Sequence, residues 1–284
     1  MFRDGRQMEK IMIVLSAATG EFGRLVVDQL LNRVPASDVA VAVRDVHKAA
    51  DLADRGVQVR YGDYDEPDSL RDSFNGGDRL LFISAPSFDS EERMPQHHNV
   101  VDAARTSGVG HLVYTSGLGA DVIDEGGLAD HYATERAIRD SGLPYTILRH
   151  PIYSEWFINQ GLRQSIEAGE LTSSSGGRGM NTAFRTDLAK AAAVVLTIQD
   201  QLGASYDFTG RLWTFDELAQ VLSDVSGRTI IHREVDEDEG IMIMIGPAIR
   251  VGSFEYQTDD LERVLGRSST SLRAAVTAVL QSGS

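Results

Sequence analysis

The chain contains no cysteine, which excludes disulfide bonds, cysteine nucleophiles and cysteine-ligated metals. Basic residues are also in short supply, with 27 lysines and arginines against 42 aspartates and glutamates and a formal net charge of −15. An acidic surface repels phosphate backbones and anionic lipids, so nucleic acid and membranes are poor partners. The longest apolar runs, such as Ile11–Leu15 and Ile241–Ile245, are too short to span a bilayer. With a polar start that is unlike a signal peptide, these absences predict a cytoplasmic protein.

The apolar residues that are present are arranged for a parallel sheet. Short apolar runs alternate with longer amphipathic stretches, the pattern of successive βαβ units. The predicted strands are Ile11–Leu15, Val39–Val43, Val57–Tyr61, Arg79–Ser84, His111–Thr115 and Tyr145–Leu148. The predicted helices between them are Phe22–Arg33, Asp45–Arg55, Asp68–Phe74, Gln96–Thr106 and Leu128–Asp140. This order predicts an α/β fold with a Rossmann-type doubly wound parallel sheet.

After Leu148 the alternation becomes irregular, which predicts a small α/β C-terminal lobe. The expected helices are Tyr153–Ala168, Thr186–Ile198, Leu261–Leu265 and Leu272–Leu280, and the expected strands are Ser205–Thr209 and Ile230–Val235. Thr214 and Glu217 form a capping box that opens one further helix. The predicted organisation is a flexible extension over residues 1–10, a Rossmann domain over 11–152, and a lobe over 153–284 that is interleaved with that domain.

The strongest local motif follows the first strand and opens the first helix. It spaces Ala17, Gly20 and Gly23 at intervals of three, and the predicted cofactor contacts are Ala17, Thr19, Gly20, Glu21, Phe22 and Gly23. Gly20 allows the backbone to approach a pyrophosphate, Gly23 allows the helix to pack on the strand, and the helix N-terminus attracts phosphate. The alternative is a tight turn without a ligand. Ala17 replaces the usual first glycine, and alanine is strained there if the position needs a positive φ.

The residue after the second strand predicts which dinucleotide binds. A site that prefers NAD places Asp or Glu there to hold the ribose hydroxyl, whereas this chain has Arg44, with Lys48 four residues on. A guanidinium suits a 2′-phosphate, so NADP(H) is the predicted cofactor. The alternative is a solvated surface arginine. Asp63 after the third strand is placed to accept from the adenine amine, or else serves as a turn residue.

From Ile11 to about Val235 the sequence resembles the NmrA-like group of atypical short-chain dehydrogenases/reductases, and within it the type-2 NAD(P)H:quinone oxidoreductases and triphenylmethane reductases. The segments that carry the resemblance are Val34–Ser37, Val41–Arg44, Gly62–Tyr64, Leu81–Ser84, Gln96–Val101, Tyr114–Ser116, Ala133–Glu135, Pro144–Arg149 and Trp213–Leu218. The resemblance implies NADPH along the carboxyl ends of the strands, and hydride transfer to a small quinone-like or other flat aromatic acceptor. It also implies nicotinamide-side contacts from Ser84, Ala85, Pro86, Pro151 and Ile152.

A candidate catalytic set is Tyr132, Arg136 and Ser116. Tyr132 and Arg136 are four residues apart and share a helix face, as do the tyrosine and lysine of classical short-chain dehydrogenases. Arg136 supplies charge but cannot relay a proton, because a guanidinium does not deprotonate. The alternative is that Tyr132 is a partly buried packing residue and Arg136 a solvated helix arginine. Tyr132 is then dispensable, because water can protonate a reduced quinone.

The candidate substrate residues are His150, Tyr153, Trp156 and Phe157, whose aromatic surfaces suit a flat acceptor. The alternative for Trp156 and Phe157 is packing between the lobes. The adjacent His97 and His98 lack the spacing of a zinc pair, so no metal is expected. A homodimer is compatible with such folds.

Three departures from the family pattern keep other functions open. Besides Ala17, the chain has Arg136 where quinone-reductase-like members often have lysine, and the region after Glu239 is shortened around Ile241–Gly246. Loss of turnover would leave a redox sensor that binds NADP(H) and a protein partner. A changed pocket would suit an enzyme that tailors natural products.

Overall fold

The computed structural model describes residues 11–87, 89–198 and 201–282, so the predicted extension over residues 1–10 lies outside the described part. The strands are β1 Ile13–Ser16, β2 Val39–Val43, β3 Gln58–Tyr61, β4 Arg79–Phe82, β5 His111–Gly117, β6 Tyr145–His150, β7 Glu170–Ser173, β8 Met180–Asn181, β9 Ala204–Asp207, β10 Leu212–Trp213 and β11 Ile231–Glu234. The α-helices are α1 Glu21–Leu31, α2 Ala50–Asp54, α3 Pro67–Phe74, α4 Ser90–Thr106, α5 Ala129–Asp140, α6 Leu162–Ala168, α7 Arg185–Thr197, α8 Phe215–Ser226, α9 Met242–Arg250, α10 Asp260–Leu265 and α11 Leu272–Gln281.

Seven strands form the central sheet in the order β3-β2-β1-β4-β5-β6-β9. β1 lies near the middle and pairs in parallel with β2 on one side and β4 on the other. The chain order reverses between β1 and β4, and ligands of doubly wound sheets bind outside the carboxyl ends of the strands at such a point. The predicted fold class is therefore confirmed, and the loops after β1 and β4 flank the expected binding crevice.

Contacts along the chain define two units, the first of which contains the residues up to Arg149 together with Ala192–Tyr206. All residues of β1 and β2 are buried. The core includes Val14, Leu80, Phe82 and Tyr114, each without accessible surface. Strands buried on both faces read as continuous apolar runs, which is why β2 was predicted with its observed bounds and β1 within two residues of them.

The second unit comprises His150–Ala191 and the chain from Asp207 onward. It holds an antiparallel pair, β10 with β8, and a parallel pair, β11 with β7. Its core is formed around Trp213 and Phe215. The predicted capping box is confirmed, because Thr214 Oγ1 accepts from the Glu217 N–H at 3.1 Å and Glu217 accepts from the Thr214 N–H at 2.9 Å. The predicted domain limits at residues 152 and 153 remain a prediction.

Several element predictions were wrong in detail. The helix predicted for Tyr153–Ala168 is interrupted, because the Asn159 carboxamide accepts from the Gly161 N–H at 2.8 Å and donates to the Glu155 and Trp156 carbonyls. The helix predicted to begin at Gln96 begins at Ser90 and runs through Pro95. The segment predicted for Asp45–Arg55 divides into a 3₁₀ turn and the short α2. The region after Glu239 contains α9, which the sequence did not predict.

Candidate cofactor-binding site

The loop between β1 and α1 has the backbone shape that a phosphate-binding turn requires. Gly20 is the N-cap of α1, and its N–H donates to the Ala17 carbonyl at 3.2 Å. A Cβ on Gly23 would lie 2.7 Å from the Ala18 Cα and 2.8 Å from the Ala17 oxygen, so only glycine fits. The close approach brings the first amides of α1 to the end of β1, where they can bind an anion. Within this loop Thr19 is half-buried, Glu21 is exposed and Phe22 is buried.

Ala17 adopts a left-handed conformation, with φ of +51°. Among the described residues it is the only non-glycine with a positive φ. The position therefore needs the conformation that the usual glycine supplies, at a cost of about 1–2 kcal/mol for alanine. The turn keeps its shape in spite of this strain.

Basic side chains lie at the carboxyl end of β2. Arg44 follows the strand directly and is exposed, and Lys48 is exposed in the 3₁₀ turn Val46–Ala49. A nearby arginine is already engaged, since Arg24 donates to Asp51 at 2.7 Å. Asp63 accepts from the Asp65 N–H at 3.1 Å, which is the turn role that the sequence allowed. Arg44 is thus available to a ligand phosphate at this edge.

The loop after β4 is fixed by buried side chains beneath it. The Ser84 N–H donates to Thr115 Oγ1 and the Ala85 N–H donates to His97 Nε2, both at 3.0 Å. Thr134 Oγ1 donates to the Asp130 carbonyl, so it accepts from His97 Nδ1 at 2.8 Å. Burial, helped by the charge of Arg93, lowers the pKa of His97 to about 3. A neutral His97 therefore holds Ser84, Ala85 and Pro86 in place.

Arg93 and His97 were not predicted as site residues. Arg93 lies in the first turns of α4, and its Nη2 donates to Ser84 Oγ at 2.6 Å. The sequence placed the start of this helix after Pro95, which left Arg93 in a loop. The sequence signal for the earlier helix start was Asp89, a residue type that favours the N-cap position. Its carboxylate accepts from the Glu91 N–H at 2.9 Å.

The structure brings two of the three predicted catalytic residues together. Arg136 Nη1 lies 3.4 Å from Tyr132 Oη, and the guanidinium lies 5.9 Å from the ring centre. The Ser116 hydroxyl instead donates to Glu135 at 2.6 Å, on the buried face of α5. Burial alone would raise the pKa of Glu135, but hydrogen bonds from Arg149 and Ser116 outweigh it and hold that pKa below its usual value.

The predicted substrate residues belong to the second unit. His150 stacks on Phe208 with ring centres 6.0 Å apart, and burial lowers its pKa to about 3. Tyr153 lies beneath the Arg185 guanidinium at 4.5 Å. Phe157 packs edge-on against Trp213 and Phe215. Pro151 is buried, Ile152 is half-buried and Trp156 is exposed. Their roles toward nicotinamide and acceptor stay predictions.

Within the described ranges, no group of three or more histidine, aspartate or glutamate side chains is arranged to hold a metal ion. His98, next to the buried His97, is exposed and bonds to the Met94 carbonyl at 2.8 Å. None of the described helices combines the length and apolar character needed to cross a membrane.

The parallel sheet, the glycine turn and the exposed Arg44 define a dinucleotide-binding protein, and comparison with known proteins agrees. A family model described as NAD(P)H-binding matches residues 17–199. The chain belongs to this NAD(P)H-binding family, in its NmrA-like branch.

Three relatives show the level of similarity. Quinone oxidoreductase 2 of Escherichia coli is 36% identical over 227 residues, which cover 80% of this chain and 78% of the relative. An NmrA-like family domain-containing oxidoreductase of Aspergillus flavus is 30% identical over 245 residues, with coverage of 80% and 75%. The triphenylmethane reductase of Citrobacter sp., solved in complex with NADP(H), is 41% identical with a TM-score of 0.90, over 95% of this chain and 100% of that one. The predicted NAD(P)H-dependent oxidoreductase class is confirmed.

Proposed function

We propose that the chain reduces a quinone, or another flat conjugated acceptor, with a hydride taken from NADPH. The observation that carries the choice of NADPH is Arg44, exposed directly after β2 where a carboxylate would favour NADH. The acceptor class is supported by the names of the relatives, a quinone oxidoreductase and a triphenylmethane reductase. The acidic surface does not exclude an anionic cofactor, because Arg44 and Lys48 are exposed at this edge.

The residues of the first unit fit the dinucleotide. The α1 amides after Gly20 would hold the pyrophosphate, since the missing Cβ of Gly23 lets the helix end approach. Arg44 and Lys48 would hold the 2′-phosphate, and the Ser84–Pro86 loop would hold the nicotinamide ribose. The bound cofactor supplies the hydride and its electron pair.

The chain's own contribution to the chemistry is positioning and proton supply. His97 fixes the loop after β4 through the Ala85 N–H. Tyr132, with Arg136 beside its hydroxyl, is the proposed proton donor to the reduced acceptor. Pro151, Ile152, His150, Tyr153, Trp156 and Phe157 complete the proposal as contacts to the ring and the acceptor.

Calorimetric titration with NADPH and NADH tests the cofactor assignment. We expect the wild type to bind NADPH more tightly, and Arg44→Gln to lose about 10- to 100-fold in NADPH affinity, because a charge-assisted phosphate contact contributes about 1.5–3 kcal/mol. NADH affinity should be unchanged. The control is Arg55→Gln, which removes an exposed partner of Asp28.

Equal affinity of the wild type for the two cofactors would overturn the role of Arg44. If the wild type instead prefers NADPH, the next measurement is an acceptor screen that begins with quinones. Binding without turnover of any acceptor would contradict the reductase and favour a redox sensor.

A further inference from the structure

Arg93 carries a buried positive charge at the carboxyl edge of β4. The side chain is 7% exposed, and Nη2 donates to Ser84 Oγ at 2.6 Å and to His131 Nε2 at 2.8 Å. Its Nε is buried and has no hydrogen-bond partner. In the part of the chain that the structure describes, Arg93 forms no ion pair with a carboxylate. Among the described residues, no carboxylate therefore balances this charge.

Three described aromatic groups close to Arg93 are neutral. Because a guanidinium can only donate, His131 accepts on Nε2, carries its proton on Nδ1 and donates to Tyr114 Oη at 2.8 Å. His97 is neutral, since its Nε2 accepts from the Ala85 N–H while its Nδ1 donates to Thr134. Burial raises the pKa of Tyr114, so its phenol stays protonated. No member of this cluster supplies a negative charge.

An uncompensated buried cation is strongly unfavourable, which is why such groups are normally paired. A ligand anion that reaches Arg93 would both balance its charge and bond to its remaining N–H groups. The anion must bind next to Ser84, because that hydroxyl fixes the guanidinium from the loop side.

The strand order indicates which anion this is. Arg44 lies at the end of β2, the phosphate turn at the end of β1, and Arg93 beyond the end of β4 on the opposite side of the switch point. A dinucleotide that places its 2′-phosphate at Arg44 and its pyrophosphate at α1 directs its nicotinamide half toward β4. That half carries no negative group, so the anion has to come from the acceptor.

We propose that Arg93 is a catalytic residue, which binds the acceptor oxygen on which negative charge develops during reduction. This inference rests on the proposed function. A neutral quinone that accepts a hydride, one proton with two electrons, becomes a hydroquinone monoanion and leaves the cofactor oxidised. One further proton, from Tyr132 or from water, gives the hydroquinone. A fixed cation in a buried site stabilises such an oxyanion without having to reorganise.

The charge of the acceptor provides a discriminating test. A cationic triphenylmethane dye that accepts a hydride becomes a neutral product, so no oxyanion forms and Arg93 gives no assistance. Loss of Arg93 should therefore slow reduction of a quinone far more than reduction of a cationic dye. A purely structural role would slow both reactions equally.

We would compare Arg93→Met and Arg93→Lys with the control Arg105→Met, which removes an exposed arginine of the same helix. Menadione and malachite green are the acceptors, and NADPH affinity and thermal unfolding are measured for every variant. We expect Arg93→Met to lower kcat for menadione by about 10²- to 10³-fold more than kcat for malachite green. Any loss that comes from the contact of Arg93 with Ser84 should be shared by both acceptors. Arg93→Lys keeps the charge and should recover part of the quinone rate. Equal losses for both acceptors, or no loss for menadione, would overturn the proposal.

A binding measurement separates this proposal from the reductase function itself. With saturating NADP⁺, the wild type should bind 4-nitrophenol as its coloured phenolate and lower the pKa of the ligand, whereas Arg93→Met should not. A wild type that binds the phenolate but reduces neither acceptor would remove the proposed function and retain the anion site. A wild type that leaves the pKa of the ligand unchanged would overturn the role of Arg93.

Discussion

Ala17 is held in a left-handed conformation that costs alanine about 1–2 kcal/mol. Ala17→Gly removes this strain and adds about 0.5–1 kcal/mol of unfolded-state entropy, so we expect a net stabilisation of about 0.5 kcal/mol. Denaturant unfolding measures the change. Ala18→Gly is the matched control, because Ala18 is fully buried and has no positive φ. Ala18→Gly should lower the free energy of unfolding. A similar decrease in Ala17→Gly would contradict strain at Ala17.

Single residues could be predicted from the sequence where their role is local. The glycine turn was found because Gly20 and Gly23 act on backbone within a few residues of themselves. Arg93 was not found, because its role depends on where α4 begins and on contacts with Ser84 in the preceding loop and with His131, 38 residues away. His97 was assessed only as a metal ligand, since its partner Ala85 belongs to another loop.

Three elements are joined by one buried carboxylate. Glu135 of α5 accepts from Ser116 of β5 and, at 2.8 and 2.9 Å, from Arg149 of β6. Glu135→Gln removes the carboxylate that Arg149 contacts at 2.8 and 2.9 Å, while Asp121 stays 3.4 Å from the guanidinium. We expect the free energy of unfolding to fall by about 3 kcal/mol, since removal of one partner of a buried ion pair is strongly destabilising and Asp121 is more distant and more exposed than Glu135.

Asp102→Asn provides the comparison for this element-scale prediction. Asp102 pairs with Arg105 on the exposed face of α4, and such surface pairs contribute about 0.2–1 kcal/mol. Denaturant unfolding of both variants should therefore separate them clearly. A loss for Glu135→Gln as small as that for Asp102→Asn would show that the three elements do not depend on this carboxylate.

At the element scale, the sequence predicted the central sheet better than the second unit. Strands such as β2 are apolar throughout, and a pattern of that kind identifies them without knowledge of their neighbours. β8 and β10 have two residues each and exist only through their pairing with one another. The break before α6 depends on the Asn159 side chain, and the early start of α4 depends on a cap that precedes Pro95. Such features follow from hydrogen bonds that residue periodicity does not encode.

At the scale of the whole molecule, buried neutral histidines determine how the chain responds to acid. Burial lowers the pKa to about 3 for His97 and His150 and to about 4 for His111, where the charge of Arg79 also contributes. In the unfolded chain each returns to about 6.5. The unfolded state therefore binds more protons between these values, and stability falls as the pH drops below about 6.5.

The loss should amount to about 2 kcal/mol for each of these histidines at pH 5, and it should level off near their folded pKa values. Denaturant unfolding at a series of pH values between 8 and 4 would measure it. His97→Gln removes one titrating group and should reduce the slope below pH 6.5, whereas His98→Gln alters an exposed neighbour and should leave the slope as in the wild type. An equal slope in the wild type and in His97→Gln would mean that His97 is protonated in the folded protein. The hydrogen bond from the Ala85 N–H, which requires an unprotonated Nε2, would then be absent, and with it the support of the loop after β4.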